Sequence, residues 1–472
     1  MKNDNRLINL PVKTVVQVTA LLVAIMAVSI VLTYIIPGGE FGTLPDGTPD
    51  YTEYIRRDDL SGVPIWKGIL APVLVFFTSD GITLLALSLF LIVVAGAFQI
   101  MSDVGGVHSL IGSLSRKFSN RRKLLIVVMS LMFYSLGAFL GHFENMLTLL
   151  PIVASLCVLM GYDSFTGFLC CIASTGIGFA TAITNPFTVI LASNIIDVNP
   201  LTKIWYRIII FIAVFLILMA YIFLYIRKIT KDPASSYTYE SDEQIRAGEK
   251  KELFDEADED RVRKIYTVFL VLGVVAVIVP SMIEAVRDYS VVFLTVYFLV
   301  GGVIAGYLAC HDMRKVGKGL KVGLVSALPA ILLVAVASSV KYVLVEGKVL
   351  PTIVNQMNEI TSGVAPLGVA LIVYVIVLVL EFFISSSTAK AILVMSMLSV
   401  ANLGLSKTML VLIYTFADGY TNMLFPTSPV LLLGLSMINV SYFTWVKKSA
   451  PLFTAITLAV VAFLAIGIRI GY

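Results

Sequence analysis

The chain has 472 residues, of which 58% are hydrophobic and only 14% are charged. Soluble globular domains carry about 25% charged residues, so this composition excludes a soluble enzyme or binding domain. The formal net charge of +4 is small and gives no reason to expect a nucleic-acid partner. Apolar runs of about 20 residues, long enough to cross a bilayer core, recur from end to end. We therefore predict an all-α polytopic membrane protein whose partner is the lipid bilayer.

The four cysteines, Cys157, Cys170, Cys171 and Cys310, lie in or beside apolar segments. None has a metal-ligand spacing to histidine, and small buried hydrophobes are the simplest interpretation. We expect no metal site, no disulfide and no cofactor beyond a coupling ion.

The first apolar segments alternate with loops whose charge predicts their side of the membrane. A span over 14–36 precedes an acidic, polar loop over 37–66. A short amphipathic piece over 66–79 and a second span over 82–102 follow. Residues 108–123 hold a cluster of lysine and arginine, which favours the cytoplasmic side. By this rule the N-terminus is cytoplasmic.

Two polar interruptions then occur inside apolar sequence. The arms of 124–160 meet at a polar tip, 141–145. The next apolar segment, 165–197, is interrupted at Asn185-Pro186, and a span over 204–226 follows. Polar backbone at membrane depth is tolerated only where it faces protein or a water-filled cavity, so these interruptions predict a site.

A stretch of mixed charge, 229–264, separates two halves of the chain. It has too few apolar residues to bury, and we expect a solvated cytoplasmic linker that is helical in part. The halves, 1–228 and 265–472, are expected to be two transmembrane repeats.

The second half repeats the order of the first. We expect spans at 265–285, 290–309 and 322–345, a basic cytoplasmic loop at 312–321, an outer stretch at 346–364, hairpin arms at 366–384 and 388–403, a segment from 407 broken at Phe425-Pro426, and a last span at 449–468.

A shift of 240 positions aligns the two halves. It places Asn185-Pro186 on Phe425-Pro426, Thr181 on Thr421 and Trp205 on Trp445, although the chain has only three tryptophans. The first hairpin is predicted on the cytoplasmic side and the second outside. This order predicts two inverted-topology repeats with proline-broken helices around a midplane site, as in secondary transporters.

Backbone before a proline leaves the α region, so Asn185 and Phe425 should be unwound, with each proline starting a half-helix. The free N–H groups at such starts favour a substrate carboxylate, while nearby carbonyls and hydroxyls suit Na⁺. The alternative is a proline kink satisfied by neighbouring helices. The candidate substrate-binding residues are Asn185, Thr188, Ser385, Ser386, Ser387, Thr388, Asn422, Thr427 and Ser428.

Three acids lie deep in apolar sequence, namely Glu144, Glu381 and Asp418. Such acids carry protons, bind Na⁺ or hold a cationic substrate, and we assign them to ion coupling. Glu381 could instead be a water-facing helix end. Lys390 could pair with one of the acids or snorkel to the membrane surface.

At these residues the chain resembles the C4-dicarboxylate anaerobic carrier-like family of the ion transporter superfamily, which includes proteins regarded as basic amino acid antiporters. The resemblance covers most of the chain and is strongest at 178–187 and 418–445. It implies a secondary transporter of the bacterial inner membrane with inverted repeats and helical hairpins, a homodimer, and elevator-like movement. The tips at Glu144 and at Ser385 to Thr388 depart from the family's usual residues, and both departures fall at predicted ligand positions.

We therefore predict a secondary active transporter, a symporter or exchanger, of a C4-dicarboxylate or a basic amino acid, coupled to Na⁺ or H⁺. A Na⁺/H⁺ antiporter or an ion channel of the same architecture is the alternative. An intramembrane enzyme is disfavoured, because only the Ser386/Lys390 spacing resembles a catalytic pair.

Overall fold

The structure, a computed structural model, describes residues 12–44, 49–57, 62–78, 81–110, 113, 119–248, 256–282, 289–361, 363–384, 387–400 and 403–472. Seven helices within these residues are long and apolar enough to cross a membrane. The expectation of a polytopic helical membrane protein is confirmed. Ser385 and Ser386 lie outside the described residues.

The described residues of the first half form several longer helices and one pair of strands. They are α1 (Val12–Ile35), β1 (Gly38–Thr43), β2 (Pro49–Arg57), α2 (Ile65–Leu74), α3 (Gly81–Asp103), α4 (Arg122–Ser135), α5 (Leu150–Leu159), α6 (Ser164–Ala180), α7 (Pro186–Ile195) and α8 (Ile204–Lys231).

The remaining helices run from the central charged stretch to the end of the chain. They are α9 (Glu243–Gly248), α10 (Glu256–Met282), α11 (Ser290–Cys310), α12 (Met313–Ser326), α13 (Leu328–Glu346), α14 (Val349–Thr361), α15 (Pro366–Phe383), α16 (Ser387–Val400), α17 (Lys407–Thr421), α18 (Pro429–Met437) and α19 (Tyr442–Arg469).

These helices pack as two bundles, each built from both halves of the chain. In the first, which we call the frame, α3 packs against α11 and α12, and α13 packs against α1 and α2. In the second, which we call the core bundle, α4 to α8 pack with α15 to α19. Aromatic contacts such as Phe98 on Phe298, with ring centroids 5.8 Å apart, hold the frame together. The division of the chain into two repeats, one on each side of 229–264, stays a prediction. The packing does not follow this division, because the frame and the core bundle each contain helices from both halves.

The two hairpins of the core bundle have unequal arms. The outgoing arms, Arg122–Leu140 and Pro366–Phe383, have 19 and 18 residues, which as helix span about 27–28 Å. The returning arms α5 and α16 have 10 and 14 residues, or about 15 and 21 Å. A bilayer core is about 30 Å thick, so only the outgoing arms are long enough to cross it.

The loop expected over 37–66 contains an antiparallel β-hairpin, which was not predicted. Glycines make β1 a poor strand by sequence, but its backbone is fixed by contacts with distant residues. Gly39 N donates to Lys348 O (2.9 Å), and Thr352 Oγ1 donates to Pro37 O (2.8 Å). The hydrogen bond from Lys348 holds the pKa of Glu40 below its usual range. The hairpin thereby ties α14 to the frame.

Two stretches expected as loops are helices. The basic segment 312–321 opens α12, because the Asp312 side chain caps it by accepting from Arg314 N at 2.8 Å. Its apolar face, including Val316 and Gly319, packs on α3 while its basic face is exposed. The segment 346–364 likewise contains α14. The charged residues of both stretches predicted that they lie outside the apolar spans. Charge alone does not indicate whether a segment is helical.

The linker is only partly solvated, and the expectation for its first part is wrong. Tyr237 packs edge-on against Phe165 of the core bundle, with ring centroids 5.1 Å apart. Asp242 is 2% exposed and accepts a hydrogen bond from Ser164 N at 2.9 Å. Burial raises the pKa of Asp242 above its usual value. Residues 232–248 are thus docked at the start of α6.

Asp242→Ala is expected to release this docked segment, because Ser164 N and the Thr238 hydroxyl lose their acceptor. A buried donor left without a partner costs about 1–3 kcal/mol. Limited proteolysis of the purified protein should then cut within 232–248 faster than in the wild type. Glu240→Ala, at an exposed position of the same segment, is the control and should not change the rate. Equal cleavage of both variants would contradict the docking role of Asp242.

Candidate functional site

The first hairpin ends beside the first helix break. A π-helical turn, Leu136–Leu140, follows α4 and stops at Gly141, whose φ of 71° is left-handed. A Cβ at Gly141 would lie 2.5 Å from Asn185 Oδ1, so the position needs glycine for both reasons. The chain then forms a 3₁₀ turn, Glu144–Thr148, before α5 returns.

The break between α6 and α7 is bonded to this hairpin. Ile183 N donates to Ala138 O at 2.9 Å, and Asn185 Nδ2 donates to Gly137 O at 3.3 Å. Asn185 Oδ1 accepts from Phe187 N at 2.9 Å and caps α7. The expected unwinding at Asn185, with Pro186 in the first turn of the half-helix, is confirmed.

The second break is displaced from its expected position. Residues after Thr421 form turns, and α18 begins at Pro429, with Ser428 as its cap, because Leu431 N donates to Ser428 Oγ at 3.5 Å. The prediction that Pro426 starts the half-helix is therefore wrong. The structural counterpart of Pro186 is Pro429, because the second break is three residues longer than the alignment of prolines implies.

Both breaks expose backbone carbonyls, and the long helix after each break supplies a donor to them. In the first half, Arg207 Nη1 of α8 donates to Ala182 O at 3.1 Å. In the second, Trp445 Nε1 of α19 donates to Met423 O at 2.7 Å. The matched tryptophans differ, since Trp205 is 51% exposed while Trp445 is fully buried. Sequence reasoning missed Arg207, although an arginine near the start of a 28-residue apolar helix was a visible signal.

The two broken helices cross in close contact. A Cβ added at Gly419 of α17 would lie 2.2 Å from Ala180 N of α6. Small residues let helix backbones approach in this way in membranes. Gly419 follows Asp418 directly, and Ala180 precedes the first break, so the crossing brings the second-half acid next to the first-half break.

A buried ion cluster, which we call the triad, lies at this crossing. Lys390 Nζ of α16 lies 2.6 Å from Asp418 Oδ1 and forms an ion pair with Glu381 of α15. Lys390, Glu381 and Asp418 are 0%, 3% and 0% exposed. The snorkelling alternative for Lys390 and the water-facing alternative for Glu381 are both wrong. The triad joins both arms of the second hairpin to the broken helix.

Asp418 has further partners among the predicted site residues. Ser387 Oγ donates to Asp418 Oδ2 at 2.8 Å, and Asn422 Nδ2 donates to the Asp418 carbonyl at 3.0 Å. Tyr414 OH donates to Ser387 O at 2.5 Å. These bonds fix the Asp418 carboxylate between hairpin and break.

Glu144 lies at the tip of the first hairpin. It lies close enough to Asp418 for the two carboxylates to interact electrostatically, and its side chain is exposed. The structure thus brings acids of both halves into one region.

The other predicted site residues are distributed over the two breaks. Thr188 Oγ1 is fully buried in α7, with no hydrogen-bond partner in the described part of the chain. Thr427 and Ser428 are both buried at the second break. The side chain of Thr388, like Ser385 and Ser386, falls outside what the structure describes. Ligand binding by all these residues remains a prediction.

The charges at the breaks do not balance. Glu144, Glu381 and Asp418 contribute three carboxylates, whereas Lys390 and Arg207 contribute two cations among the described residues. With all five groups ionised, the region carries one surplus negative charge. A cationic group or a coupling cation would neutralise it.

Comparison with known proteins gives a consistent class. The family model for DcuC, described as C4-dicarboxylate anaerobic carrier, matches residues 17–469. The Escherichia coli protein named "Putative basic amino acid antiporter YfcC" is 26% identical over 385 residues, covering 78% of this chain and 75% of that protein. An uncharacterized Haemophilus influenzae protein is 24% identical over 372 residues, covering 77% of this chain and 71% of that protein.

Two solved structures are similar at lower identity. The Alcanivorax borkumensis YdaH transporter is 15% identical with a TM-score of 0.43, covering 96% of this chain and 99% of that chain. Neisseria gonorrhoeae MtrF, from a class of antimetabolite efflux pumps, is 13% identical with a TM-score of 0.44, covering 95% and 94%.

Gly419→Ala is expected to destabilise the core bundle, because the added methyl group would overlap the Ala180 backbone, which cannot move like a flexible side chain. Overpacking of this kind costs about 1–3 kcal/mol. Gly317→Ala in α12 is the matched control, since a Cβ there meets no atom within 4 Å and alanine gains up to about 1 kcal/mol of helix propensity. Thermal unfolding in detergent should show a lower Tm for Gly419→Ala alone. Equal Tm values for the two variants would contradict the close crossing.

Proposed function

The chain belongs to the DcuC family of C4-dicarboxylate anaerobic carriers, and we propose that it is a secondary active transporter whose preferred substrates are basic amino acids. Membership in this family makes the protein a multi-pass membrane transporter rather than an enzyme. The substrate and the mode of coupling are the parts that we propose.

The excess of carboxyl groups over basic groups at the breaks, three against two among the described residues, is the observation that supports a cationic substrate. At an effective dielectric constant of about 20, two unit charges about 4 Å apart interact by about 4 kcal/mol. A substrate with a positive side chain gains this attraction from Glu144, Glu381 or Asp418. A dicarboxylate brings two negative charges and meets repulsion from the same three groups. The similarity to the Escherichia coli protein named as a basic amino acid antiporter points in the same direction.

The carboxylate of an amino acid also has a suitable partner. Free N–H groups at the starts of α7 and α18 attract anions. Thr188 Oγ1, buried without a partner among the described residues, is a further hydrogen-bonding group beside the first of these helix starts. We propose that the substrate carboxylate binds at a helix start and the cationic side chain points toward the triad.

The coupling ion is proposed from the same charge balance. Na⁺ or H⁺ can neutralise a carboxylate that the substrate leaves unpaired. The serine and threonine hydroxyls at the breaks are oxygen ligands that suit Na⁺. Exchange of one cationic amino acid for another would preserve the balance without any ion.

A second candidate is exchange of C4-dicarboxylates, which the family description favours. It requires that coupling cations first neutralise Glu144 and the triad, so that two helix starts can hold two carboxylates. A Na⁺/H⁺ antiporter or ion channel would use the acids but not the helix starts. The proposal further includes a homodimer, inverted repeats in a bacterial inner membrane, and a cytoplasmic N-terminus and linker.

Uptake by proteoliposomes separates these candidates. Labelled L-lysine and L-arginine should enter vesicles preloaded with unlabelled L-arginine, because positive side chains satisfy the surplus charge. Labelled fumarate and succinate should enter at background rate. The assay is run with and without Na⁺ and pH gradients, and protein-free vesicles are the control. Saturable fumarate uptake without lysine uptake would overturn the proposed substrate class and support the second candidate.

Asp418→Asn is expected to lower the rate of coupled transport at least about tenfold. The loss of a charge pair worth about 1.4 kcal/mol already changes an equilibrium constant tenfold. Folding should persist, since asparagine keeps an oxygen acceptor for Ser387. Asp197→Asn, at an exposed position with φ of 51° that asparagine tolerates, is the control. Size-exclusion profiles check folding. Wild-type uptake by Asp418→Asn would remove Asp418 from the site.

A further inference from the structure

The ammonium group of Lys390 occupies the most enclosed position at the crossing. It contacts Asp418 Oδ1 at 2.6 Å, pairs with Glu381, and donates to Ile384 O at 3.2 Å at the end of α15. Its partners among the described residues belong to the second hairpin or to α17. A single cation therefore links three elements that meet at the breaks.

Stability alone does not account for such a cluster. Removing charged groups from water is costly, and well-packed apolar residues of similar volume are often as stable or more stable than a buried ion pair. Neutral side chains can satisfy buried oxygens in lipid, as the Ser387 hydroxyl does for the Asp418 carboxylate and the Asn422 amide does for the Asp418 carbonyl. A buried lysine that faces two acids inside a transporter thus calls for a role in the site.

We propose that Lys390 is a tethered cation that occupies the cation position of the transport site when no cargo is bound. Cargo with a positive charge, or a coupling cation, then binds by displacing the ammonium from Asp418 and Glu381. The identity of the cargo rests on the proposed function, but the displacement requires only a cation of any source.

Displacement has a structural consequence for the second hairpin. Lys390 is carried on α16, Glu381 on α15 and Asp418 on α17, so the ammonium fastens the hairpin arms to each other and to the broken helix. When a free cation takes its place, the acids stay neutralised while α16 is no longer tied to α17 by its own side chain. The tether therefore couples cation binding to release of the hairpin.

The tether also lowers the apparent affinity for cationic cargo. A site that its own side chain fills most of the time is available for only a fraction of the time, and the apparent dissociation constant equals the intrinsic one divided by that fraction. Removing the lysine should therefore lower the half-saturating cargo concentration, even if the maximal rate falls. A residue that serves only to hold the fold would not improve affinity when deleted.

The test uses Lys390→Ala, which leaves both acids and opens space for a small ammonium ion. The purified full-length protein is heated in detergent with methylammonium chloride or with choline chloride, whose cation is larger, at equal ionic strength. Wild type and Lys407→Ala are controls, because Lys407 lies on α17, the helix that carries Asp418, and among the described residues its Nζ donates to a backbone carbonyl, Asp197 O, at 3.3 Å.

Methylammonium should raise the Tm of Lys390→Ala by several degrees relative to choline, because a ligand that binds only the folded state stabilises it. The Tm values of wild type and Lys407→Ala should not respond. In uptake assays, Lys390→Ala should show a several-fold lower half-saturating concentration of L-lysine. An equal response of all three proteins to methylammonium, or a raised half-saturating concentration, would overturn the tether.

A second variant covers the case in which Lys390→Ala does not fold. Lys390→Met combined with Glu381→Gln restores the net charge of the triad and should give more monodisperse protein than Lys390→Met alone. Equal monodispersity of the double variant and of Lys390→Met would contradict the assigned charge balance. If L-lysine is not transported by the wild type, the proposed substrate fails, while the methylammonium measurement still decides the tether.

Discussion

The structure depends on one constraint, which is that backbone opened inside an apolar bundle must find hydrogen-bond partners within the protein. Two helices open, between α6 and α7 and between α17 and α18. Each opening is satisfied by its own half of the chain: the first by the hairpin end at Gly137 and Ala138 and by Arg207, the second by Trp445. Two of these partners are backbone carbonyls, at Gly137 and Ala138, and two are large side chains, Arg207 and Trp445, and their bonds hold the openings in place. The hairpins, the long helices α8 and α19, and the close crossing at Gly419 all follow from this requirement.

Electrostatics gives the region its chemical character. Backbone carbonyls and helix starts alone would accept cations and anions alike. Three carboxylates against two cations shift the preference toward positive charge. The two cations have different partners, because Lys390 pairs with two acids while Arg207 donates to a backbone carbonyl. The first hairpin contributes an exposed acid, Glu144, whereas Glu381 of the second hairpin and Asp418 of α17 are buried. A cargo that enters from water would therefore meet Glu144 before it meets Asp418. Packing places the frame around this core bundle, and the β-hairpin with α14 connects the two.

The sequence predicted the elements governed by local rules and missed those governed by tertiary contacts. Long apolar runs gave the spans, and Asn185-Pro186 gave the first break, because proline constrains its neighbour directly. The same rule failed at Pro426, since turns after Thr421 extend the opening to Pro429. The glycine-rich strand β1 and the docked residues 232–248 are held by partners more than 70 positions away, such as Lys348 and Ser164, which no local pattern reports. Glu144, Glu381 and Asp418 were identified as acids out of place, whereas their convergence around Lys390 required the fold. Arg207 was overlooked because a charge near a helix end is normally assigned to the membrane surface.

The central claim is that the surplus negative charge at the two breaks selects a cationic substrate. Equilibrium binding to the purified protein tests it most directly, measured as the rise of Tm with concentration for L-lysine, L-arginine, L-alanine, fumarate and succinate at constant ionic strength. A ligand present at about 100 times its dissociation constant stabilises the folded state by about 2.7 kcal/mol. The account predicts that L-lysine and L-arginine raise the Tm while L-alanine and the dicarboxylates leave it unchanged. A rise with fumarate or succinate and none with the basic amino acids would contradict it.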